Sequence, residues 1–242
     1  MELQSKVALV TGGSRMGAEI GRSLASKGCS VALTWKHSRE PAEQAVRAFG
    51  AHGLFLRANL EKEKEVRRLM RTLREKFGGL DILVHMVSDY EKTPFNHLTS
   101  DAWQKHVNTD LKSAYLVAAM AASLMKKRSE GRILFVSDWT AASGRPRYKN
   151  HVPYYTAKKG ILGLTESLAL ELAPKILVNC IAPGPILPPK NTTPLQNRKV
   201  LEQTPLKRWG GPQELAKAVM FFLESDFVTG ECLRVDGGRH LY

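Results

Sequence analysis

The feature that most constrains this chain is the alternation of short apolar runs with longer stretches of helical periodicity. Seven runs rich in Val, Ile and Leu predict strands, at residues 6–12, 30–35, 54–58, 81–86, 132–137, 176–182 and 232–238. Strands that are apolar along their whole length are typical of a parallel sheet covered by helices on both faces. No repeat or linker divides the 242 residues. We therefore expect one α/β domain, residues 1–242, built on a seven-stranded parallel sheet.

The segments between the predicted strands differ in character. One helix is predicted between the third and fourth strands from apolar residues that share a helical face: Val66, Leu69, Met70, Leu73 and Phe77. Gly78 is its predicted end. Residues 184–211 are rich in Pro, Asn and Thr instead, which predicts a long loop that contributes to substrate binding.

Composition excludes several classes of protein. The apolar runs are too short to span a bilayer, and the three separated cysteines form neither a metal-ligand pattern nor a disulfide framework. We therefore expect a cytoplasmic protein with no bound metal. The net charge of +13 favours anionic ligands. Nucleic acid is a less favoured partner, because the basic residues are dispersed and no aromatic residues interleave them.

A glycine-rich turn follows the first predicted strand and precedes a helix. Gly12, Gly13 and Gly17 allow a tight turn and a close approach of the backbone to a ligand. The following helix presents unpaired N–H groups at its positive end, which favours a phosphate there. Such a turn also occurs as an ordinary connection, but its position after the first strand of an alternating chain predicts a dinucleotide site.

The end of the second strand predicts which dinucleotide binds. An acidic residue there would bond the ribose 2′-hydroxyl, whereas this chain has Lys36, His37 and Ser38. Cations and a hydroxyl suit a 2′-phosphate, so NADPH is predicted over NADH, and Arg15 in the glycine turn adds a further cation. Asn59, after the third strand, is predicted to reach the adenine edge. The alternative is that these basic residues are ordinary surface charges.

A tyrosine and a lysine with catalytic potential lie in the predicted helix near residue 155. Tyr154 and Lys158 are four residues apart and share one helix face. Because an ammonium favours a neighbouring phenolate, we predict that Lys158 lowers the pKa of Tyr154 from about 10. Tyr154 would then exchange a proton near neutral pH. Tyr155 and Lys159 repeat the spacing, so the spacing alone does not choose between the two pairs.

Over nearly its whole length the chain resembles the short-chain dehydrogenase/reductase family. The resemblance is carried, in the family's order, by "TGGSRMG", "DILVHMVS", "GRILFVSD", "YYTAKKG" and "LVNCIAPGPI". It implies a Rossmann-like, doubly wound fold, a nicotinamide cofactor and a homotetramer. Because the family places a glycine two residues after its catalytic lysine, Gly160 implies that Tyr154 and Lys158 are the catalytic pair.

The resemblance also assigns residues that the local pattern does not identify. The family's catalytic asparagine falls on Asp110, with Asn108 two residues earlier, and the sequence does not decide which of them faces the site. Further cofactor contacts are implied in the glycine turn, after the third and fourth strands, and beside the nicotinamide carboxamide: Ser14, Met16, Leu60, Val87, Pro183, Gly184 and Ile186.

The chain departs from the common family pattern at Asp138, where other members have the serine that assists the catalytic pair. Pteridine reductases and dihydromonapterin reductases also carry an aspartate there, and Tyr90 and Ser88 match residues of their pterin site. A carboxylate suits the ring nitrogens and amino group of a pterin. The resemblance therefore implies an NADPH-dependent dihydropterin reductase in which Asp138 orients or protonates the substrate. The alternative for Asp138 is that it caps a turn.

Two other functions stay open on the sequence. One is reduction of a 3-oxoacyl thioester or another carbonyl compound, with Asp138 as a simple replacement for serine. The other is a non-catalytic NADPH-binding sensor, because Met86, Asp110 and Asp138 all differ from the common pattern. The intact pair of Tyr154 and Lys158 argues against the sensor.

Overall fold

A seven-stranded parallel sheet runs through the described part of the chain, in the order β3-β2-β1-β4-β5-β6-β7. The structure is a computed structural model that describes residues 1–12, 15–36, 39–47, 49–189 and 191–242. Every strand predicted from the sequence is present, and the single α/β domain is confirmed. The strands are β1 (Val7–Thr11), β2 (Ser30–Trp35), β3 (Gly53–Arg57), β4 (Ile82–His85), β5 (Gly131–Val136), β6 (Ile176–Pro183) and β7 (Cys232–Val235).

Helices cover both faces of this sheet. They are α1 (Met16–Ser26), α2 (Arg39–Arg47), α3 (Glu63–Phe77), α4 (Ser100–His106), α5 (Ser113–Met125), α6 (Trp139–Ala142), α7 (Val152–Leu172), α8 (Pro194–Glu202) and α9 (Pro212–Glu224). The helix predicted after the third strand is α3. It ends as predicted at Gly78, which adopts a φ of 75° and donates its N–H to the Arg74 carbonyl.

The pattern of β1 shows why the strands are apolar throughout. Val7 and Leu9 belong to a core with buried residues of α3, α5 and α7, whereas Ala8 and Val10 belong to a second core with buried residues of α1 and α9. Successive side chains of a strand point to opposite faces of the sheet. Both faces are buried here, so every position of the strand is apolar.

The prediction of a continuous loop over residues 184–211 is wrong, because the segment contains α8. Thr193 and Gln196 form a capping box: the Thr193 hydroxyl accepts from the Gln196 N–H, and the Gln196 side chain accepts from the Thr193 N–H. Pro194 is the first helical residue, where a missing N–H is not needed. The Pro, Thr and Asn residues that suggest a loop therefore include the residues that begin this helix.

A π-helical turn, Val107–Lys112, joins α4 to α5. A π-turn inserts a residue into an otherwise continuous helix, and such turns are frequent at functional sites. Asp110 lies in this turn and is buried. The turn faces α7, which carries Tyr154 and Lys158.

The topology reverses between β1 and β4, which lie side by side although β2 and β3 separate them in the chain. Ligands of open α/β sheets bind outside the carboxyl ends of the strands at such a switch point. Gly12 follows β1 and Met86 follows β4 at this point. In the part of the chain that the structure describes, no helix combines the length and the apolar character that a membrane crossing requires.

We expect Leu73→Ala to lower the free energy of unfolding by about 3 kcal/mol, because Leu73 is fully buried and its loss leaves a cavity between α3 and the sheet. Leu195→Ala on α8 is the matched control, since Leu195 is 77% exposed, and we expect a change within about 0.5 kcal/mol. Urea unfolding followed by circular dichroism measures both values. Equal effects of the two substitutions would contradict the assignment of Leu73 to the core.

Candidate active site

A cleft of about 620 Å³ opens at the carboxyl ends of the central strands. Half of the residues that the sequence assigns to the cofactor line it. From the glycine turn and the start of α1 these are Gly12, Arg15 and Met16. From the segments after β2, β3 and β4 they are Lys36, Asn59, Leu60 and Val87, and the predicted substrate residue Ser88 lies with them. Ser14, His37 and Ser38 are outside the described residues.

The glycine turn fits a phosphate group. Gly12 adopts a φ of 78°, which favours glycine, and a Cβ on Gly17 would lie 2.4 Å from the Gly12 carbonyl oxygen. Only a glycine at position 17 lets the turn approach the start of α1 so closely. The side chain of Met86 packs against both glycines, so a residue that departs from the common family pattern supports the turn from β4.

The basic residues that the sequence assigns to a 2′-phosphate have carboxylate or carbonyl partners. The Lys36 ammonium lies 2.7 Å from a carboxylate oxygen of Glu61, which also lines the cleft. The Arg15 guanidinium donates to the Pro188 carbonyl at 3.1 Å. The sequence did not single out Glu61, although its position after the third strand could have indicated it. A 2′-phosphate would therefore compete with Glu61 for Lys36.

Asp138 caps a helix, as one of the two sequence alternatives predicts, and it also contacts Tyr154. It caps α6 through one carboxylate oxygen, which accepts from the Thr140 N–H at 2.8 Å. Its other oxygen accepts from the Tyr154 hydroxyl at 3.1 Å. The neighbouring Ser137 cannot replace the missing serine, because its hydroxyl donates to the Lys158 carbonyl and fixes α7 against β5.

Lys158 is buried and has two partners. Its ammonium donates to the Val136 carbonyl at 3.0 Å and lies 3.3 Å from a carboxylate oxygen of Asp110. Asp110 is therefore the residue of the π-turn that faces the site, whereas Asn108 accepts a hydrogen bond from Gln104 on the outer side of the helix. The burial of both Lys158 and Asp110 makes their charges depend on each other.

The structure also separates the two tyrosine–lysine pairs. Tyr154 and Lys158 are both buried, and the Lys158 ammonium lies 5.8 Å from the centre of the Tyr154 ring. The Lys159 ammonium instead donates to the Ala141 carbonyl at the end of α6, so Lys159 holds α6 against α7.

The predicted lowering of the Tyr154 pKa is wrong. Burial is the largest cause that raises the pKa of Tyr154 well above its ordinary value, followed by the negative charges of Asp138 and Asp110 and the hydrogen bond to Asp138. The Lys158 ammonium does not reverse this shift, because it contacts Asp110 and the Val136 carbonyl. In the free protein the Tyr154 hydroxyl therefore holds its proton and acts as a donor.

Aromatic rings form one wall beside Tyr154. The Tyr90 ring stacks on His151 with centroids 4.7 Å apart and meets the Tyr154 ring edge-on at 4.9 Å. Tyr90 remains 58% exposed, so its ring offers a surface to a ligand that approaches Tyr154.

The segment after β6 lies apart from the 620 Å³ cleft. Pro183 ends β6, and a Cβ on Gly184 would lie 2.5 Å from the Asp236 Cβ, so Gly184 allows close packing against β7. The Ile186 side chain is buried in the core on the α1 and α9 face. The Ile186 side chain is therefore not available to contact a nicotinamide carboxamide.

His85 is a buried residue that sequence reasoning missed. Its Nδ1 lies 3.2 Å from the Thr11 hydroxyl and its Nε2 lies 3.1 Å from the Ser113 hydroxyl. The Thr11 oxygen also accepts from the Met86 N–H, so these bonds connect β1, β4 and α5 beneath the cleft. Burial, followed by the charge of Lys158, lowers the pKa of His85 to about 3. His85 is therefore neutral.

The chain is similar in sequence to a known family and to named reductases. Residues 12–240 match the family described as "Enoyl-(Acyl carrier protein) reductase". A protein named 3-oxoacyl-[acyl-carrier-protein] reductase FabG from Escherichia coli (strain K12) is 32% identical over 249 residues, with 100% of both chains covered. One of the same name from Aquifex aeolicus is 33% identical over 250 residues, with 98% of both chains covered.

Solved structures show the same fold. A short-chain dehydrogenase/reductase from Serratia marcescens has a TM-score of 0.90 and 30% identity, covering 99% of this chain and 100% of that one. A short-chain dehydrogenase from Burkholderia cenocepacia in complex with NADP has a TM-score of 0.89 and 29% identity, with 99% of both chains covered.

We expect acid to destabilise the protein through His85. Its folded pKa lies below the unfolded value of about 6.5, so the unfolded state binds the proton first and stability falls as the pH drops from about 6.5 towards 3. At pH 5 the loss relative to pH 7 is about 2 kcal/mol. Urea unfolding at both pH values measures it. In His85→Gln the loss shrinks, whereas in His97→Gln, at an exposed histidine, it persists. An unchanged loss in His85→Gln would contradict the assignment.

Proposed function

The chain belongs to the short-chain dehydrogenase/reductase family of oxidoreductases, and on that premise we propose that it reduces the keto group of a 3-oxoacyl thioester with NADPH. The observation that carries this proposal is the buried Tyr154, whose hydroxyl donates to Asp138 and whose ring centre lies 5.8 Å from the Lys158 ammonium. The relatives are named as 3-oxoacyl reductases. They favour the thioester, which the sequence ranked second, over the dihydropterin that it ranked first.

The residues at the carboxyl ends of the strands fit the cofactor. When bound, NADPH supplies the hydride. The glycine turn and the start of α1 would hold its phosphates, because Gly12 and Gly17 leave the backbone uncovered there. Arg15 and Lys36 are the described cations placed for a 2′-phosphate. Glu61 weakens that preference because it already pairs with Lys36. The choice of NADPH therefore depends on whether the phosphate displaces Glu61.

Tyr154 is the proposed proton donor to the substrate oxygen. A carbonyl oxygen gains negative charge as its carbon is reduced, and a hydroxyl within hydrogen-bond reach can transfer a proton to it. Asp138 accepts from this hydroxyl in the free protein and so orients it. The other oxygen of Asp138 is occupied by Thr140, which holds the carboxylate on the α6 side of the hydroxyl. We assign Asp138 the role of orienting Tyr154 and the substrate.

Residues 184–211 are the proposed substrate segment. Arg239 connects this segment to the C-terminus, because its guanidinium donates to the Val200 carbonyl and to the Thr204 hydroxyl. The same guanidinium lies 5.4 Å from the centre of the Trp139 ring, next to Asp138. A conformational change in residues 184–211 would therefore also affect Trp139, close to the end of β5.

A homotetramer remains our proposal for the assembly. Helices α5 and α7 are apolar around much of their circumference, and Tyr115 on α5 and Leu170 on α7 are 53% and 83% exposed. Apolar residues exposed on neighbouring helices are typical of subunit interfaces.

Dihydropterin reduction is the second candidate, and two observations favour it. A carboxylate, Asp138, contacts the Tyr154 hydroxyl where the family has a serine, and the exposed Tyr90 ring lies 4.9 Å from Tyr154. Together they offer a flat heterocycle a hydrogen-bond acceptor and a stacking surface.

The first test is NADPH oxidation by the purified protein with a 3-oxoacyl thioester, with 7,8-dihydropterin and NADH as comparisons. We expect turnover with the thioester, faster with NADPH than with NADH. Tyr154→Phe removes the proton donor, so kcat falls by at least about 100-fold while NADPH still binds, as fluorescence of the bound nucleotide shows. Tyr155→Phe is the matched control and retains activity. Retained turnover in Tyr154→Phe would overturn the assigned donor.

Asp138→Ser distinguishes the two substrates. Serine supplies the hydroxyl that a carbonyl reductase uses, so we expect thioester reduction to change by less than about tenfold. A pterin loses the carboxylate that bonds its ring, so any pterin reduction falls further. The measurement is kcat/KM for each substrate in the wild type and the variant. Equal losses of kcat/KM on both substrates would show that Asp138 does not discriminate between them.

A further inference from the structure

Three charges lie near the proposed proton donor, and two of them are buried. Asp138 contacts the Tyr154 hydroxyl at 3.1 Å, and Lys158 and Asp110 lie behind it as an ion pair at 3.3 Å. The side chains of Lys158 and Asp110 are 2% and 0% exposed. Water therefore screens these charges poorly, and each strongly affects the protonation of its neighbours.

The charge balance opposes ionisation of the tyrosine. Asp110 carries the negative charge that compensates Lys158, so little of the positive field of Lys158 is left to stabilise a phenolate. Loss of the Tyr154 proton would add a negative charge beside Asp138, and the same buried region would then hold three anions and one cation. Like charges in a buried site disfavour the ionised form. An uncharged residue in place of Asp110 would reverse this balance.

His106 supports Asp110 from the preceding helical turn. Its Nδ1 lies 3.8 Å from the second carboxylate oxygen of Asp110, and the side chain is 2% exposed. Within the described residues, the two carboxylate oxygens of Asp110 and the Nδ1 of His106 make no hydrogen bond of normal geometry. One carboxylate oxygen of Asp110 therefore faces Lys158 and the other faces His106.

We propose that Asp110, held in place by His106, is a positioning residue that keeps the Tyr154 hydroxyl protonated and so sets the site as a proton donor for reduction. This inference rests on the proposed function, because it assigns Tyr154 as the donor. It gives the aspartate a role that an amide at position 110 cannot fill, since an amide carries no charge to compensate Lys158.

Other titratable groups face this cluster and belong to its balance. They are His151 just before α7, His85 at the end of β4, Tyr90 in the segment after β4 and His106 in α4. His85 is neutral above about pH 3, and burial, the first cause, raises the pKa of Tyr90 to about 12. These two groups therefore keep their charge between about pH 7 and 10, the part of the titration in which Asp110→Asn is expected to ionise Tyr154.

The sign of the effect follows from the charges. In Asp110→Asn the charge of Lys158 is uncompensated and favours the phenolate, so Tyr154 loses its proton at a lower pH than in the wild type. Reduction needs the phenol, so the alkaline decline of its kcat moves to lower pH. Oxidation of the corresponding alcohol needs the phenolate, so its kcat rises at a lower pH. The equilibrium constant of the overall reaction is unchanged, because it belongs to the reactants.

The experiment is a spectroscopic titration of the cofactor-free protein, which needs no turnover. Phenolate absorbance near 295 nm is followed from about pH 7 to 11. The chain has six tyrosines, so the same titration in the Tyr154→Phe background isolates the signal of Tyr154. In the wild type we expect no ionisation of Tyr154 below about pH 10. In Asp110→Asn we expect its midpoint to fall by at least about one pH unit, a tenfold change in the acid constant.

His106→Leu is the second variant, and Asp81→Asn is the matched control. Removal of His106 loosens Asp110, so the midpoint of Tyr154 falls in the same direction by less. Asp81 is another buried aspartate, paired at 2.9 Å with Arg128 away from the site. Its substitution lowers stability without moving the midpoint. If Asp110→Asn fails to fold, His106→Leu tests the proposal alone. A lowered midpoint of Tyr154 ionisation in that variant would support the role of Asp110, and an unchanged midpoint would overturn it.

The outcomes separate this inference from the proposed function. An unchanged midpoint in Asp110→Asn up to the pH of unfolding would overturn the role of Asp110, whatever the substrate is. Equal shifts in Asp110→Asn and Asp81→Asn would also overturn it, since they would show general loosening. A shifted midpoint with no reduction of any thioester would uphold the charge balance while the proposed substrate fails. In an active enzyme, Asp110→Asn must move the alkaline decline of kcat in the same direction as the spectroscopic midpoint.

Discussion

A parallel sheet brings the carboxyl ends of all its strands to one edge, and the whole candidate site depends on that constraint. Gly12 follows β1, Met86 follows β4 and Asp138 follows β5, so residues far apart in the chain meet at the switch point. The sheet also explains the position of α7. The hydroxyl of Ser137, just after β5, donates to the Lys158 carbonyl and so holds α7 against the sheet.

The buried ion pair of Lys158 and Asp110 is the costliest element of this arrangement. Two charges removed from water lose hydration, and their attraction offsets that loss only when both partners remain. The π-turn makes the pairing possible, because it directs Asp110 from the α4–α5 helix towards α7. Stability and chemistry therefore depend on the same contact, since a site with one partner missing would be both less stable and differently charged.

The two aspartates give this family member a distinctive electrostatic environment. Asp138 contacts the Tyr154 hydroxyl and Asp110 compensates Lys158, so both carboxylates act on the same proton. The raised pKa of Tyr154, first from burial and then from these charges, is the direct result. Asp110 and Asp138 both differ from the common family pattern, and both favour the protonated form of Tyr154.

The sequence by itself determined the strands, the single domain, the glycine turn and the pairing of Tyr154 with Lys158 on one face. These follow from local rules: an apolar run buried on both faces reads as a strand, and four residues make one helical turn. It missed α8, because a capping box and a loop use the same polar residues. It could not choose between Asp110 and Asn108, because a π-turn shifts the helical phase. The pKa of Tyr154 was decided only by the tertiary structure. The spacing along a helix shows that Lys158 lies near Tyr154. Only the packing shows that Asp110 compensates the charge of Lys158 and that water is excluded from the site.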